Sequence, residues 1–372
     1  MLYYISFAVA AFVVSVICGF VVIPQILNFC MKRKLYDIPT ERKVHHNAVP
    51  RLGGMAFLPS MLLAFIVSVF VLGSITGHES NITIGLWSCM FLVSLFIIYA
   101  VGIVDDVIGL GPKTKFVAQI VAASLLPISN LYINDLYGFL GITSIPFWVG
   151  APLTVFVIVF IDNAMNLIDG IDGLSAGLSL MALTGFLVCF AREGVWSYCV
   201  LIAGLMGVLV SFLYFNIWGK AERNRKIFMG DSGSLTLGFI LGFLVVKFAM
   251  NNIYVMPYRS DCLLMSYTLL IVPCFDVVRV IITRLRDGQP LFKADKRHIH
   301  HKLLRCGLTQ HQALFCILAI ALFYDVVNLL LYPAVTITVI VAVDVVAYVV
   351  FHLFLDHVIR AREARMATSG NQ

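Results

Sequence analysis

The fold is decided by the first apolar run of the chain, LYYISFAVAAFVVSVICGFVVIPQILNF at residues 2–29. This run contains 28 residues and no charged side chain. A membrane-spanning helix needs about 20 mostly apolar residues, whereas the apolar part of a cleavable signal peptide has only about 7–15. The run therefore predicts a first membrane span rather than a signal peptide.

The composition extends this prediction to the whole chain. Of the 372 residues, 60% are hydrophobic and 12% are charged, and the mean hydropathy is +0.96. A soluble domain is typically about 45–50% apolar and about 25% charged, so too few charged side chains are present to cover a soluble globule. The same numbers exclude disordered, fibrous and nucleic-acid-binding proteins. We predict an all-α, polytopic integral membrane protein.

Eleven apolar runs are long enough to form membrane helices. We place them at residues 2–30, 52–73, 83–104, 116–133, 147–167, 174–191, 197–216, 233–250, 262–283, 312–331 and 335–357. The chain contains no internal repeat and no long linker. We therefore expect one transmembrane domain over residues 1–357, followed by a short basic cytoplasmic tail over 358–372.

The basic residues predict the orientation of these spans. Of the 26 lysines and arginines, 23 fall on one side of the predicted membrane, and only Arg192, Lys247 and Arg259 fall on the other. Basic loops favour the cytoplasm, so the N-terminus is predicted outside and the C-terminus inside. The net charge of +6 follows from this asymmetry, and its expected partners are anionic membrane lipids or phosphate-bearing ligands rather than nucleic acid.

Acidic residues are rare and occur in three clusters at the predicted cytoplasmic surface. These are Asp105-Asp106, the run DNAMNLIDGIDG at 162–173, and Asp231 in the run FMGDSGS at 228–234. Asp and Asn are also common helix caps, but carboxylates at membrane depth are costly and usually functional. Three clusters at one face favour a functional site.

The ligand types favour Mg²⁺, which binds hard oxygen ligands and often takes only one or two protein carboxylates plus substrate phosphates. His298, His300 and His301 form a second dense group, flanked by basic residues. A zinc site is the alternative, but it would need cysteine or a closed tetrahedral set of ligands. The basic neighbours instead favour anion binding. Asp276 and Arg279 fit either an intrahelical ion pair or a role in supporting the site.

Five motifs together resemble those of the polyprenyl-phosphate N-acetylhexosamine-1-phosphate transferases, the glycosyltransferase 4 type. They are Pro50-Arg-Leu-Gly-Gly54, Asp105-Asp106, the 163–174 run NxxNLxDGxDGL, Gly230-Asp-Ser-Gly-Ser234 and His298-Ile-His-His301. They occur in the family's order and cover residues 35–310. The resemblance implies that residues 1–357 form a catalytic domain that transfers a sugar 1-phosphate from a UDP-sugar to a polyprenyl phosphate and releases UMP.

The histidine motif implies a branch of this family. His298-Ile-His-His301 followed by Lys302 is similar to the WecA and TagO branch, which uses UDP-GlcNAc, whereas the MraY branch has three consecutive histidines followed by Phe-Glu. The resemblance thus implies transfer of GlcNAc 1-phosphate to undecaprenyl phosphate on the cytoplasmic face of a bacterial inner membrane, as the first membrane step of a cell-surface glycan pathway. UDP-MurNAc-pentapeptide or another UDP-HexNAc donor stays open, and a homodimer is a further expectation.

The resemblance also implies roles for individual residues. The expected catalytic residues are Asp105, Asp106, Asp169, Asp172, His298, His300 and His301. The expected substrate-binding residues are Lys115, Asn163, Asn216, Phe228 and Arg297. Mg²⁺, with Mn²⁺ as a substitute, is expected on Asp231 and Asn166. Within these sets, Lys115 is expected to hold a phosphate, Phe228 to stack on uracil, and Asp105 to act as a base or to orient the nucleophile.

Two other functional classes fit parts of the pattern. An intramembrane prenyltransferase also uses Asp clusters with Mg²⁺, but it would not need a basic histidine loop. A transporter would place ionisable residues near the bilayer midplane, often within inverted repeats. The acidic clusters here lie at one surface instead, so both classes fit less well.

Overall fold

A computed structural model describes residues 2–37, 49–77, 85–290 and 297–369. Four of the basic residues that predict the orientation lie outside these ranges: Arg42, Lys43, Lys293 and Lys296. The helices of the described residues are α1 Leu2–Arg33, α2 Phe57–Ile66, α3 Leu72–Thr76, α4 Leu86–Ile108, α5 Pro112–Ile128, α6 Phe147–Ile168, α7 Leu174–Arg192, α8 Trp196–Ile217, α9 Asp231–Ala249, α10 Cys262–Thr268, α11 Ile271–Arg286, α12 Ile299–Arg305, α13 Gln310–Leu331 and α14 Ile337–Ser369.

The prediction of an all-α, polytopic membrane protein is confirmed. In the described part of the chain, nine helical segments are long and apolar enough to cross a membrane, among them Gly53–Ile75, which includes α2 and α3. Helices α10 and α11 make a tenth if taken together, with a 67° bend at the break between them. Pro273 lies in the first turn of α11, where its missing N–H would have no helical partner.

Of the eleven predicted spans, nine or ten have a matching segment among the described residues that is long and apolar enough. The predicted span at 116–133 corresponds to α5, which has 17 residues and is about 26 Å long at 1.5 Å per residue. A hydrocarbon core is about 30 Å thick, so α5 is at the short limit for a span. The exact number of spans and the sides of the termini therefore stay predictions.

Two short antiparallel strand pairs accompany the helices. Strands β1 (Tyr36–Asp37) and β2 (Val49–Pro50) pair next to the end of α1, and β3 (Asp135–Phe139) pairs with β4 (Ile142–Ser144) between α5 and α6. Neither pair is predicted from the sequence, since strands of two to five residues in polar gaps have no periodic pattern to detect. The first pair brings the Pro50–Gly54 motif close to the end of α1.

Helix α9 forms the centre of the molecule. Every residue from Ser232 to Ala249 is buried, as expected for a helix that is apolar on all sides. Glycines let its neighbours approach closely: a Cβ on Gly102 of α4 would lie 2.6 Å from the Cα of Ser232, and one on Gly238 would lie 2.6 Å from the Cα of Asp162 in α6. This packing places Asp231, at the start of α9, beside the ends of α4 and α6.

The predicted tail at 358–372 is helical over its described part, because α14 continues without interruption to Ser369. Ion pairs join the last part of α14 to α12: Lys302 contacts Asp356, just before the tail, at 2.7 Å, and Arg305 contacts Glu363, within the tail, at 2.7 Å. The division into a domain and a tail stays a prediction.

Candidate active site

Asp106 holds the first turn of α9. Its carboxylate oxygens accept the backbone N–H groups of Asp231 and Ser232, each at 2.9 Å, and its own backbone carbonyl accepts Arg51 Nε at 2.9 Å. The chain enters α9 through Gly230, whose φ of +71° is unfavourable for other residues. A Cβ on Gly230 would lie 1.9 Å from the carbonyl oxygen of Arg51. The Gly-Asp-Ser motif therefore fits against Asp106 only with glycine first.

Lys115 lies between two carboxylates from different helices. Its Nζ is 3.1 Å from Oδ2 of Asp105 and 2.5 Å from Oδ2 of Asp231. The other oxygen of Asp105 accepts the backbone N–H of Leu110 at 2.5 Å. Asp105 and Asp231 thus share one ammonium group, which shows that their combined field attracts a cation.

The asparagines of the second motif point toward the same place. Asn166 Nδ2 donates to Asp231 Oδ1 at 2.9 Å and to the hydroxyl of Ser234 at 2.8 Å. Asn163 Nδ2 donates to Gln119 Oε1 at 2.9 Å, and Gln119 in turn donates to Asp162 Oδ2 at 2.9 Å. Carboxylates and amides from α4, α6 and α9 therefore meet around Lys115.

This donor set fits a divalent cation. Over the described ranges, no three His, Cys, Asp or Glu side chains are placed to hold a metal by themselves. Mg²⁺ does not require such a cluster, since one or two carboxylates suffice when substrate phosphates supply the remaining oxygens. Asp231, the amide oxygen of Asn166 after rotation of its side chain, and the nearby Asp105 provide hard oxygen ligands of this kind.

Asp169 and Asp172 follow α6 and lie in the same electrostatic field. Asp172 Oδ2 is paired with Lys226 Nζ at 2.6 Å. Burial, and then the negative charges of Asp231 and two further aspartates, raise the pKa of Asp169 to about 7. A cation that neutralises this field would favour the ionised form of Asp169. The catalytic roles expected of Asp169 and Asp172 stay predictions.

Asp276 contacts both Arg279 and the histidine motif, so its contacts agree with both interpretations of the Asp276–Arg279 pair. The carboxylate of Asp276 is fully buried and lies 2.7 Å from Arg279 Nη2 and 2.8 Å from His298 Nδ1. It also accepts the backbone N–H of Ile299 at 3.0 Å. The ion pair exists, and the same carboxylate orients the His298 ring with Nε2 left for a ligand.

The three histidines have different surroundings. His300 is buried with its ring against Gly170, where a Cβ would lie 2.1 Å from His300 Nε2. Burial, and then the neighbouring His301 and His298, lower the pKa of His300 to about 3, so this ring is neutral at physiological pH. His301 is only partly buried, with its ring centroid 4.2 Å from that of His300. These contacts give His300 a packing role, and the roles expected of His298 and His301 stay predictions.

Three predicted substrate-binding residues have clear structural contacts. Asn216 Oδ1 accepts the N–H of Gly173 at 2.6 Å, and its Nδ2 donates to the carbonyl of Ile227 at 2.9 Å. The Phe228 N–H donates to the Pro50 carbonyl at 2.7 Å, and Arg297 Nη1 contacts Asp287 at 2.7 Å. Asn216 therefore positions the loops of the site, and its substrate-binding role, like those of Phe228 and Arg297, stays a prediction.

A large cavity of about 1000 Å³ opens beside the carboxylates, between α5, α6, α9 and α11. Its walls are mostly apolar, with side chains such as Phe116, Val155 and Phe156. Its polar lining residues are Lys115, Gln119, Ser124, Asn163, Asn166, Arg284 and His298. A long apolar ligand that ends in an anionic group matches this distribution, since Lys115 and the asparagines lie where the cavity meets Asp231.

Four residues at the site had no role predicted from the sequence: Gln119, Arg51, Arg284 and Lys226. Gln119 and Arg284 are polar residues within apolar helices, which is a usable signal, and Gln119 lies one helical turn beyond Lys115. Arg51 lies inside the quoted Pro50–Gly54 motif but had no assigned role. Nothing in the sequence pairs Lys226 with Asp172.

Comparison with known proteins connects this site to a family. A sequence model described as glycosyl transferase family 4 matches residues 87–249. The probable undecaprenyl-phosphate N-acetylglucosaminyl 1-phosphate transferase of Bacillus subtilis (strain 168) is 32% identical over 338 residues, 88% of this chain and 85% of the relative. The decaprenyl-phosphate N-acetylglucosaminephosphotransferase of Mycobacterium tuberculosis is 32% identical over 300 residues, 75% of this chain and 71% of the relative.

A third relative is more distant but matches over a similar length. The undecaprenyl-phosphate alpha-N-acetylglucosaminyl 1-phosphate transferase of Escherichia coli O157:H7 is 27% identical over 299 residues, 78% of this chain and 75% of the relative. The matches therefore extend over most of each protein.

Proposed function

The chain belongs to glycosyl transferase family 4, and on this basis we propose that it transfers GlcNAc 1-phosphate from UDP-GlcNAc to undecaprenyl phosphate. The products are undecaprenyl-diphosphate-GlcNAc and UMP. The relatives' names support the lipid acceptor and the GlcNAc group. The donor and a requirement for Mg²⁺, or Mn²⁺ in its place, are part of the proposal.

The main support for this proposal is the shape and lining of the large cavity. Its apolar walls between α5, α6 and α11 suit a polyprenyl chain, which enters from the membrane. Lys115 and Asn166 lie at the polar part of the cavity, where they would bind the phosphate of that lipid. Asp231 is 2.5 Å from the same lysine nitrogen, so an acceptor phosphate held there lies next to the carboxylates that face a nucleotide diphosphate.

The reaction transfers the sugar 1-phosphate directly from UDP-GlcNAc to the lipid phosphate. An oxygen of the lipid phosphate forms a bond to the sugar-bearing phosphorus of UDP-GlcNAc, and the bond from that phosphorus to the bridging oxygen breaks, releasing UMP. A phosphate monoester has a second pKa of about 6, so the acceptor is mostly dianionic and needs no strong base. Positioning and neutralisation of charge are then the main contributions of the protein.

Different residues supply the positioning and the neutralisation of charge. Lys115 holds the acceptor phosphate against the repulsion of Asp105 and Asp231, and Asp105 orients Lys115. His298, held by Asp276 at Nδ1, contacts a diphosphate oxygen through Nε2. A metal ion held by Asp231 and Asn166 would neutralise negative charge that develops on the diphosphate.

The location of the site follows from the orientation of the chain. We place the site on the cytoplasmic face of a bacterial inner membrane, where UDP-sugars are present, and we retain a homodimer as the expected assembly. Asp105, Asp231 and the His298 loop lie at the helix ends that the basic residues predict to be cytoplasmic.

One assay tests the function and the donor. The purified full-length protein is incubated in detergent with Mg²⁺, undecaprenyl phosphate and either UDP-GlcNAc or UDP-MurNAc-pentapeptide, and the released nucleotide is identified. UMP release with UDP-GlcNAc and little turnover with the pentapeptide donor supports the proposal. Better turnover with the pentapeptide donor would refute the donor, and release of UDP or of no nucleotide would refute phosphosugar transfer.

A further inference from the structure

A second cavity, here called the arginine cavity, lies where α1 and α8 end. It has a volume of about 460 Å³, and its lining residues are Pro24, Leu27, Asn28, Met31, Tyr214, Phe215, Arg223, Asn224 and Arg225. None of these residues lines the large cavity. One wall consists of apolar and aromatic side chains, and the rim carries two arginines.

The two arginines are presented by a closed turn. The N–H groups of Arg223 and Arg225 both donate to the carbonyl of Lys220 at 3.1 Å, and that of Asn224 donates to Ala221 at 3.0 Å. The turn folds back on α8 at Gly219, where a Cβ would lie 2.0 Å from the carbonyl oxygen of Phe215. The backbone of the rim is therefore held in one conformation.

The charges of this rim are available to a ligand. Both Arg223 and Arg225 are exposed, and neither has an ion pair or side-chain hydrogen bond within the part of the chain that the structure describes. Lys32 and Arg33 end α1 nearby and are also exposed. This group of positive charges lies at the helix ends rather than along the apolar helix faces.

The cavity lies at the boundary between membrane and water. Phe20 of α1 and Tyr214 of α8 are 41% and 48% exposed on the outer surfaces of two predicted spans. Trp218 follows α8 and is 68% exposed, in the position that aromatic residues prefer at a membrane interface. We therefore expect the apolar wall to lie at the depth of acyl chains and the arginines at the depth of headgroups.

We propose that the arginine cavity binds an anionic glycerophospholipid. Its phosphate would contact Arg223 and Arg225, and an acyl chain would lie along Leu27 and Phe215. Arginine binds phosphate oxygens through paired N–H donors, and a basic surface at this depth attracts anionic lipids. A choline headgroup would bring a second cation toward the arginines, so the site selects phosphatidylglycerol over phosphatidylcholine.

Native mass spectrometry of the full-length protein in detergent, with equal amounts of dioleoyl phosphatidylglycerol and dioleoyl phosphatidylcholine, tests this site. The wild type should retain phosphatidylglycerol preferentially, and R223Q/R225Q should lower that preference by roughly tenfold. The matched control R360Q/R365Q removes two exposed charges from α14 and should keep the preference. Equal preference in R223Q/R225Q and the wild type, or none in the wild type, would overturn the proposal.

Two further arms separate a lipid site from a simple anion site. Excess inorganic phosphate should not displace the bound phosphatidylglycerol, because phosphate cannot use the apolar wall; displacement would overturn the lipid assignment. R223K/R225K keeps the charge but loses the paired donors, so it should bind with intermediate preference. An R223K/R225K preference no better than that of R223Q/R225Q would contradict the role of charge.

Discussion

Asp106 caps the helix that begins at Asp231, since its carboxylate accepts the Asp231 backbone N–H at 2.9 Å. Its second oxygen accepts the next N–H, that of Ser232, so both oxygens are engaged in positioning. The adjacent Asp105 instead faces Lys115. The Asp-Asp pair therefore divides into one residue that positions α9 and one that lies in the site. A direct catalytic role for Asp106 stays a prediction that these contacts do not favour.

Lys115→Gln should lower the transfer rate by about 10²–10³, as expected when a preorganised charge that contacts the reacting phosphates is removed. Lys113→Gln is the matched control, because Lys113 is exposed two residues away in the same helix and should stay within about twofold of the wild type. Initial rates of UMP release at saturating substrates measure both variants. Equal rates in the two variants would remove Lys115 from the site.

Asp276→Asn should lower both activity and stability. The variant removes the charge that holds His298 and Arg279, so we expect a loss of about 1–3 kcal/mol in the free energy of unfolding and a fall of about tenfold or more in kcat. Thermal unfolding in detergent and steady-state kinetics check the two effects. Glu363→Gln, on the exposed end of α14, should change neither. A normal kcat in Asp276→Asn would mean that the carboxylate stabilises the packing of the helices but does not contribute to the reaction.

Val155→Trp should narrow the large cavity where the polyprenyl chain is expected. The tryptophan side chain takes up space that the lipid would fill, and a steric cost of about 1–3 kcal/mol should raise the KM for undecaprenyl phosphate by about fivefold to a hundredfold, while the KM for UDP-GlcNAc stays nearly constant. Val188→Trp is the control, since Val188 is 64% exposed on α7. A change in the donor KM instead of the acceptor KM would place the nucleotide in this cavity.

The orientation of the chain is tested by cysteine labelling of intact cells that express a variant without the native cysteines. A cysteine at Tyr254, which is 94% exposed, should react with a membrane-impermeant maleimide. A cysteine at Glu222, which is exposed in the loop before α9, should react only after permeabilisation. The reverse pattern would invert the predicted topology and move the site to the outer face.

Much of the site could be predicted because its residue types are unusual for membrane helices. Asp105, Asn166 and Asp231 are polar residues at the ends of apolar runs, and the parity of the spans places those ends on one side. Their mutual contacts then follow from packing against α9. The sequence shows these residues and predicts their side of the membrane, but it does not show the 2.5 Å contact between Lys115 and Asp231.

The rest depends on contacts between helices that are distant in sequence. Asp276 and His298 are 22 positions apart, and the sequence pattern does not encode their contact. Gln119 meets Asn163 across 44 positions, which apolar periodicity does not encode. The number of spans depends on α5, because its length of 17 residues is at the lower limit for crossing a bilayer.

The fate of the β-phosphate of UDP-GlcNAc tests the central claim most directly. UDP-GlcNAc labelled with ³²P at this phosphate is incubated with Mg²⁺, undecaprenyl phosphate and either the wild type or Asp231→Asn, and the label is followed into lipid and aqueous products. The account predicts that the wild type moves the label into the lipid in equal amount with unlabelled UMP, and that Asp231→Asn does so about 10²–10³ times more slowly. Label that stays in the aqueous phase as UDP, or equal rates in the two proteins, would contradict it.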